Sequence, residues 1–268
     1  MYKAFWGMEF NPFDKGISEK YSFGSDDFKQ ATARLEHLKN IKGIGLFTGF
    51  SGTGKTFSLR CFAAALNPNM YKVAYIPLST VTVMEFYRSL AFALDLEPQS
   101  KKIDLFRSIQ ERIISLAKDK RITPLVILDE CQYLKTEVLN DIKLLLNFDM
   151  DSKNYAILIL TGQPTINNIL SKQVHEALRQ RIVISYNFIG ITKAEMEGYI
   201  SSRLSLCGCH EPIFNKNALE SLYSCCNGST RKLNSIIEKC LIIGAAQNVR
   251  TVTTEIVMAA QNETELIS

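Results

Sequence analysis

Gly49-Phe50-Ser51-Gly52-Thr53-Gly54-Lys55-Thr56 has the spacing of a phosphate-binding loop, and its flanks limit what the surrounding chain can fold into. The apolar run Ile44-Gly45-Leu46-Phe47 before it reads as a buried strand, and residues 57–66 after it read as a helix. A strand that feeds a tight glycine turn and then a helix aims backbone N–H groups inward at an anion. The helix N-terminus adds partial positive charge. Gly49, Ser51, Gly52, Thr53 and Gly54 are therefore candidates to cradle phosphate oxygens. Lys55 is the candidate to reach the β- and γ-phosphates, and the Thr56 hydroxyl to take one Mg²⁺ position. The ligands this pattern implies are ATP and Mg²⁺.

Thr123-Pro124-Leu125-Val126-Ile127-Leu128-Asp129-Glu130 is a β-branched, apolar run that ends in two carboxylates. A continuously hydrophobic strand suggests a parallel sheet buried on both faces. Ligands of such sheets sit at the carboxyl ends of the strands, where Asp129 and Glu130 fall. Asp129 is expected to hold Mg²⁺ through water, and Glu130 to polarise an attacking water. The plainer alternative is a buried strand whose acidic end caps the next helix. After a phosphate loop, the pair points to hydrolysis rather than storage of the nucleotide.

With 268 residues, the chain exceeds what one compact domain usually needs, so a large and a small domain are expected. A net charge of +4 permits a polyanionic partner without arguing for one. No run approaches the ~18–20 apolar residues of a membrane span, and the N-terminus lacks a signal-peptide core. A cytoplasmic protein without a membrane segment is expected. The seven cysteines, an odd number, fit reduced thiols. Cys207, Cys209, His210, Cys225 and Cys226 match no standard zinc spacing, and small buried core residues are the simpler expectation.

Strands are expected over 71–78, 156–161 and 181–186 besides the two above, alternating with helices over 28–40, 103–117 and 136–148 and one after Ser79-Thr80. Helices alone are expected over 193–207, 217–226, 230–247 and 253–261. This order predicts an α/β fold with a parallel sheet flanked by helices, followed by a small C-terminal helical domain. Residues 1–40 are expected to form an aromatic segment and helix belonging to the nucleotide domain, 41–190 its α/β body, and 191–268 the helical lid.

Together these motifs resemble the AAA+ P-loop ATPases. They look closest to the family of ExeA-type proteins and the transposition ATPases of the TnsC, TniB and MuB kind. Phe5-Trp6-Gly7-Met8 with Asn11-Pro12-Phe13 resembles the opening of ExeA-type chains. Leu128-Asp129-Glu130-Cys131-Gln132-Tyr133-Leu134 resembles their Asp-Glu-Ala-Gln-x-Leu signature, with Cys131 in place of alanine. Gly162-Gln163-Pro164, Gln180-Arg181-Ile182 and Tyr199-Ile200-Ser201-Ser202-Arg203-Leu204 resemble further family motifs in the same order. Gly228-Ser229-Thr230-Arg231-Lys232-Leu233-Asn234 resembles Gly-x-Pro-Arg-x-x-Asn, with Thr230 in place of proline.

The resemblance implies roles for these residues. Thr161 or Gln163 becomes a polar sensor of the γ-phosphate, and Arg231 a lid arginine that contacts phosphate. Arg181, with Arg179 as the alternative, becomes an arginine finger that completes a neighbouring subunit's site, which implies a homo-oligomer, ring or helical filament. Tyr2, Phe5 and Phe13 are candidates to pack near the adenine. ExeA-type secretion proteins continue into a membrane segment and a peptidoglycan-binding region. This chain stops at Ser268, so the transposition kind is the expectation: an ATPase that assembles on duplex DNA without reading sequence and recruits or activates a transposase. Another DNA process, of initiator or helicase-loader type, and a protein-only partner are the alternatives. Ser79, Thr80, Thr82 and Arg88 are the candidate phosphate contacts to DNA, against the plainer reading of a capped helix with solvated polar residues.

Overall fold

Five parallel strands, the inner three buried on both faces, follow from short apolar runs. In the computed structural model, which describes residues 2–77 and 80–265, these are β1 (Gly43–Gly49), β2 (Tyr71–Ile76), β3 (Thr123–Leu128), β4 (Ile157–Gly162) and β5 (Ile182–Phe188). Their order in the sheet is β2-β3-β4-β1-β5, and every pairing is parallel. The twofold period of a strand sends alternate side chains to opposite faces. Val126, Leu128, Leu158 and Leu160 enter one apolar cluster, while Leu125, Ile127, Ile157 and Ile159 enter another.

Helices close both clusters. In chain order they are α1 (Tyr2–Phe5), α2 (Asp26–Ile41), α3 (Lys55–Ala65), α4 (Val83–Ala93), α5 (Lys102–Lys118), α6 (Thr136–Leu145), α7 (Thr165–Leu170), α8 (Glu176–Arg179), α9 (Lys193–Leu206), α10 (Lys216–Cys226), α11 (Thr230–Ala246) and α12 (Thr254–Glu265). Leu105, Ile109, Ile113 and Leu116 of α5 recur at helical spacing and are all buried in the first cluster with Phe86, Tyr87 and Leu90 of α4. Ala31, Leu35 and Leu38 of α2 and Leu59 and Phe62 of α3 fill the second. Each fully buried aliphatic or aromatic side chain contributes roughly 1.5–3 kcal/mol.

Several boundaries differ from the sequence expectation for local reasons. Ser25 caps the start of α2, which begins two residues before the expected 28, its hydroxyl accepting from Phe28 N at 3.2 Å. The cap of α4, however, is Thr82 rather than Ser79-Thr80. Its hydroxyl accepts from Glu85 N, and Glu85 accepts from Thr82 N in return. Ser79 lies outside the described residues. Helix α6 ends at Leu145 instead of 148, because Phe148 turns into the core against the edge of Tyr155.

Contacts divide the chain into two units. The sheet unit holds the described parts of 30–50 and 55–188, and the helical unit those of 1–29, 51–54 and 189–268. The aromatic N-terminal segment has its partners in the helical unit. Buried Trp6 donates its indole N–H to Leu241 O at 2.8 Å, and Asn11 Nδ2 donates to Glu238 Oε1 at 2.8 Å. Cys207, Cys209, Cys225, Cys226 and Cys240 are buried in the same core with Phe13, and no group of three metal-ligating side chains occurs among the described residues. No helix among the described residues is long and apolar enough to cross a membrane.

Candidate nucleotide-binding site

Strand β1 ends at Gly49 and α3 begins at Lys55, so the phosphate loop is the whole of the connection between them. Gly52 and Gly54 have φ of +81° and +97°, a region that L side chains adopt only at a cost. At Gly54 a Cβ would meet nothing, so backbone conformation alone calls for glycine there. At Gly52 it would also lie 2.2 Å from Ser229 Oγ. Residues 51–54 belong to the helical unit, where Arg231 Nη1 donates to Ser51 Oγ at 3.1 Å, Arg231 N to Gly52 O at 3.3 Å and Ser229 Oγ to Ser51 O at 3.3 Å. Buried Lys55 donates to two loop carbonyls, Gly49 O at 2.7 Å and Phe50 O at 2.8 Å.

At the carboxyl edge of the sheet, buried Asp129 follows the last residue of β3. Its Oδ2 accepts from Thr56 Oγ1 at 3.2 Å and from Tyr75 OH at 2.8 Å, and its Oδ1 accepts from Glu130 N at 2.9 Å. Burial, then the hydrogen bond to Asp129 and the charges of Asp129 and Glu130, push the Tyr75 hydroxyl well above its ordinary pKa. It therefore stays a donor. A hydroxyl and a carboxylate side by side are hard oxygen donors of the kind Mg²⁺ takes, so Thr56 and Asp129 fit that ion.

Glu130 is exposed and left-handed, with φ 53° and ψ 38°. Its Oε2 accepts from Gln132 Nε2 at 2.7 Å, and Gln132 Oε1 accepts from Gln163 N at 2.9 Å. The carboxyl edge thus brings together Thr56, Asp129, Glu130 and Gln163, all singled out from sequence, with Tyr75 and Gln132, which were not. Thr161 is fully buried in β4, and its hydroxyl has no partner among the described residues. Cys131 is buried, and burial followed by the Asp129 charge pushes its thiol up to about 12, so it takes alanine's place as an inert core atom.

The two candidate arginine fingers lie elsewhere. Arg181 immediately precedes β5, whose first residue pairs with Ile44 at the start of β1, so it stands at the amino edge of the sheet. There Nη1 donates to Lys143 O at 2.6 Å and Nη2 pairs with Asp151 Oδ1 at 2.8 Å. Arg179 is held by Leu170 O and Ser171 O. Thr80 and Arg88 are exposed, whereas the Thr82 hydroxyl is committed to Glu85 at both its donor and its acceptor. Tyr2 and Phe5 are half-buried and pack on the helical core that contains Phe13.

Comparison with known proteins places this geometry in a family. An AAA domain matches residues 39–170. The general secretion pathway protein A of Aeromonas hydrophila is 32% identical over 251 residues, covering 92% of this chain, and the chain spans 45% of that relative's length. Among solved structures, Cdc6p of Pyrobaculum aerophilum is similar with a TM-score of 0.73 at 15% identity, over 94% of this chain and 70% of that one. Drosophila ORC bound to DNA is similar with a TM-score of 0.67 at 14% identity, over 100% of this chain and 66% of that one. Identities this low speak for the fold. With the parallel five-stranded sheet and the phosphate loop, the chain carries an AAA domain over residues 39–170 and has the AAA+ P-loop ATPase fold.

Proposed function

We propose that the protein is an ATP-dependent switch that assembles as a homo-oligomer on duplex DNA, without reading its sequence, and regulates a transposase. The observation that carries the assembly is the separation of Arg181 from the carboxylates. Arg181 stands at the amino edge of the sheet, and Thr56, Asp129 and Glu130 stand at the carboxyl edge. An arginine at the edge opposite its own chain's Thr56 and Asp129 is placed to serve a nucleotide in a second copy. Residues 41–190 act as the nucleotide-binding domain and 191–268 as its lid, with the aromatic segment at the start of residues 1–40 packed in the lid's helical unit. The cytoplasm, where ATP and duplex DNA meet, is the setting.

In this reading the backbone of Gly49 and Ser51–Gly54 and the Lys55 ammonium bind the β- and γ-phosphates of ATP. Thr56 and Asp129 hold Mg²⁺, which supplies charge neutralisation on the phosphate oxygens. Glu130 orients a water and accepts its proton as the water oxygen bonds to the γ-phosphorus. The bond from that phosphorus to the β–γ bridging oxygen breaks, ADP leaves, and the proton passes to solvent. Gln163 and the buried Thr161 hydroxyl sense the γ-phosphate, and Arg231 relates its presence to the crest of the phosphate loop. Arg181 of a neighbour stabilises the charge that spreads over the transferred group. Hydrolysis removes the phosphate that both arginines grip, which loosens the assembly.

The DNA half of the proposal draws on the resemblance to transposition ATPases and on the likeness to an ORC structure bound to DNA. Thr80 and Arg88, with Thr82 as the cap between them, are the proposed backbone-contacting segment. A second reading, a protein partner in place of DNA, is favoured by the 32% identity to a general secretion pathway protein. Co-sedimentation with duplex DNA in ATP, in ADP and without nucleotide separates the two, with Lys55→Ala as control. Pelleting of the unaltered chain in ATP alone is the expected result. No association with DNA in any state abandons the DNA reading in favour of a protein partner.

A further inference from the structure

We infer that Gln132 is the positioning residue for the Glu130 carboxylate, anchored to the end of β4. The inference rests on the reading of Glu130 as the residue that orients the attacking water. Three independent features of the sheet unit converge on Gln132.

The first is its hydrogen bonding. Gln132 sits in the single 3-10 turn Cys131–Tyr133, closed by Tyr133 N donating to Glu130 O and Leu134 N to Cys131 O. From there its carboxamide spans two strand ends. Nε2 donates to Glu130 Oε2 at 2.7 Å, and Oε1 accepts from Gln163 N at 2.9 Å. Only one orientation of the amide satisfies both partners. Reversed, its oxygen would face a carboxylate and its NH₂ would face a peptide N–H. The peptide of Gln163 therefore dictates that a donor is turned toward Glu130.

The second is the space made for it. A Cβ on Gly162 would lie 2.3 Å from Gln132 Oε1, 3.0 Å from Cys131 Sγ and 3.1 Å from Cys131 N. Gly162 has no positive φ, so what it provides at this point is room rather than backbone freedom. The Gly-Gln pair at the end of β4 thus forms the seat for Gln132, glycine by its absence of side chain and Gln163 by its N–H.

The third is the backbone of Glu130, left-handed although the residue carries a side chain. Such a conformation persists only where neighbours over-determine it, and it recurs at functional sites. Here it directs the residue after the Mg²⁺-binding candidate Asp129 toward Gln132. A purely structural glutamine would need to satisfy only the Gln163 peptide. This one spends its other end on an exposed carboxylate that water could have solvated. The arrangement lets a shift of the Gln163 peptide, next to the γ-phosphate sensor, re-aim or release the carboxylate.

The test uses the full chain and single-turnover ATP hydrolysis across pH, with binding of a fluorescent ATP analogue measured separately. Gln132→Leu and Gln132→Glu are expected to lower the hydrolysis rate roughly tenfold to a hundredfold, as misplacement of a reacting group does, while analogue affinity is unchanged. Gln132→Glu sets a second carboxylate beside the first, so the acid limb of its rate–pH profile is expected to move to higher pH. A structural role alone would not move it. Gly162→Ala, which leaves Glu130, Gln132 and Gln163 in the sequence, is expected to slow hydrolysis by displacing the Gln132 amide. Normal rates and an unmoved acid limb in folded Gln132→Glu, with Glu130→Gln inactive, overturn this inference and leave the role of Glu130 standing. Wild-type turnover by Glu130→Gln instead overturns the role of Glu130 and the inference with it.

Discussion

The two edges of the one sheet treat their polar side chains in opposite ways. At the carboxyl edge, Thr56, Tyr75 and the Glu130 peptide all donate to Asp129, and Gln132 ties Glu130 to Gln163. The groups are aligned on one another and open to solvent at Glu130. At the amino edge, Arg181 is satisfied within its own chain by Lys143 O and Asp151. The turn that supplies Asp151 holds three successive residues, Asp149, Met150 and Asp151, at φ of 47°, 55° and 69°. Strain is stored at both edges, beside the carboxylate at one and beside the arginine at the other. One chain thus pre-organises its carboxyl edge but keeps Arg181 occupied, so the proposed service to a neighbour would require Arg181 to exchange partners.

The largest effect tests whether the edges work in different copies. Arg181→Ala is expected to lower ATP hydrolysis by the assembled protein about 10³-fold. Mixing it with Glu130→Gln, itself inactive, should restore part of the rate, since the intact carboxyl edge of one variant meets the intact arginine of the other. A mixture as inactive as its components would break the comparison.

A smaller effect sharpens the carboxyl edge. Tyr75→Phe removes one of the donors that orient Asp129, and such outer partners typically matter about tenfold in metal affinity. The expected result is a higher Mg²⁺ concentration for half-maximal hydrolysis with an unchanged rate at saturating Mg²⁺. An unchanged Mg²⁺ dependence would mean that the hydroxyl serves only its own burial.

The smallest effect belongs to the amino edge. Asp151 is more than half exposed, and ion pairs of this kind contribute about 0–1 kcal/mol. Asp151→Ala should therefore leave thermal stability nearly unchanged and raise hydrolysis by the assembled protein at most about fivefold, by releasing Arg181. A loss as large as that of Arg181→Ala would instead make Asp151 part of the active arrangement.

Much of the site was readable along the chain because its parts are local. The phosphate loop, the apolar run that ends in Asp129-Glu130 and the strand ending in Gly162 each carry their signal within about ten residues, and an apolar run bounded by turn residues can be recognised without knowing its neighbours. Tyr75 carried no such signal, and Gln132 lay within the Asp-Glu-Ala-Gln-x-Leu resemblance with no role attached to it. An aromatic residue in a strand and a glutamine in a short turn are ordinary at those places, and only the pairing of β2 with β3 and of β3 with β4 brings them to Asp129 and Gln163. The cap of α4 went to Thr82 because a capping box needs a glutamate three residues on, which Glu85 supplies. The partners of Trp6 lay more than two hundred residues away, beyond any local pattern.

The sequence by itself determined the strands, most of the helices and the two local segments of the candidate site, the phosphate loop and the run ending in Asp129-Glu130, because backbone conformation and burial follow from the side chains nearest in the chain. Tertiary structure alone decided which donors orient the two carboxylates, that Gly162 leaves room for Gln132, and that Arg181 stands at the sheet edge opposite Asp129. Those depend on strand order and register, which place residues from separate segments within a hydrogen bond of one another or at opposite edges of one sheet.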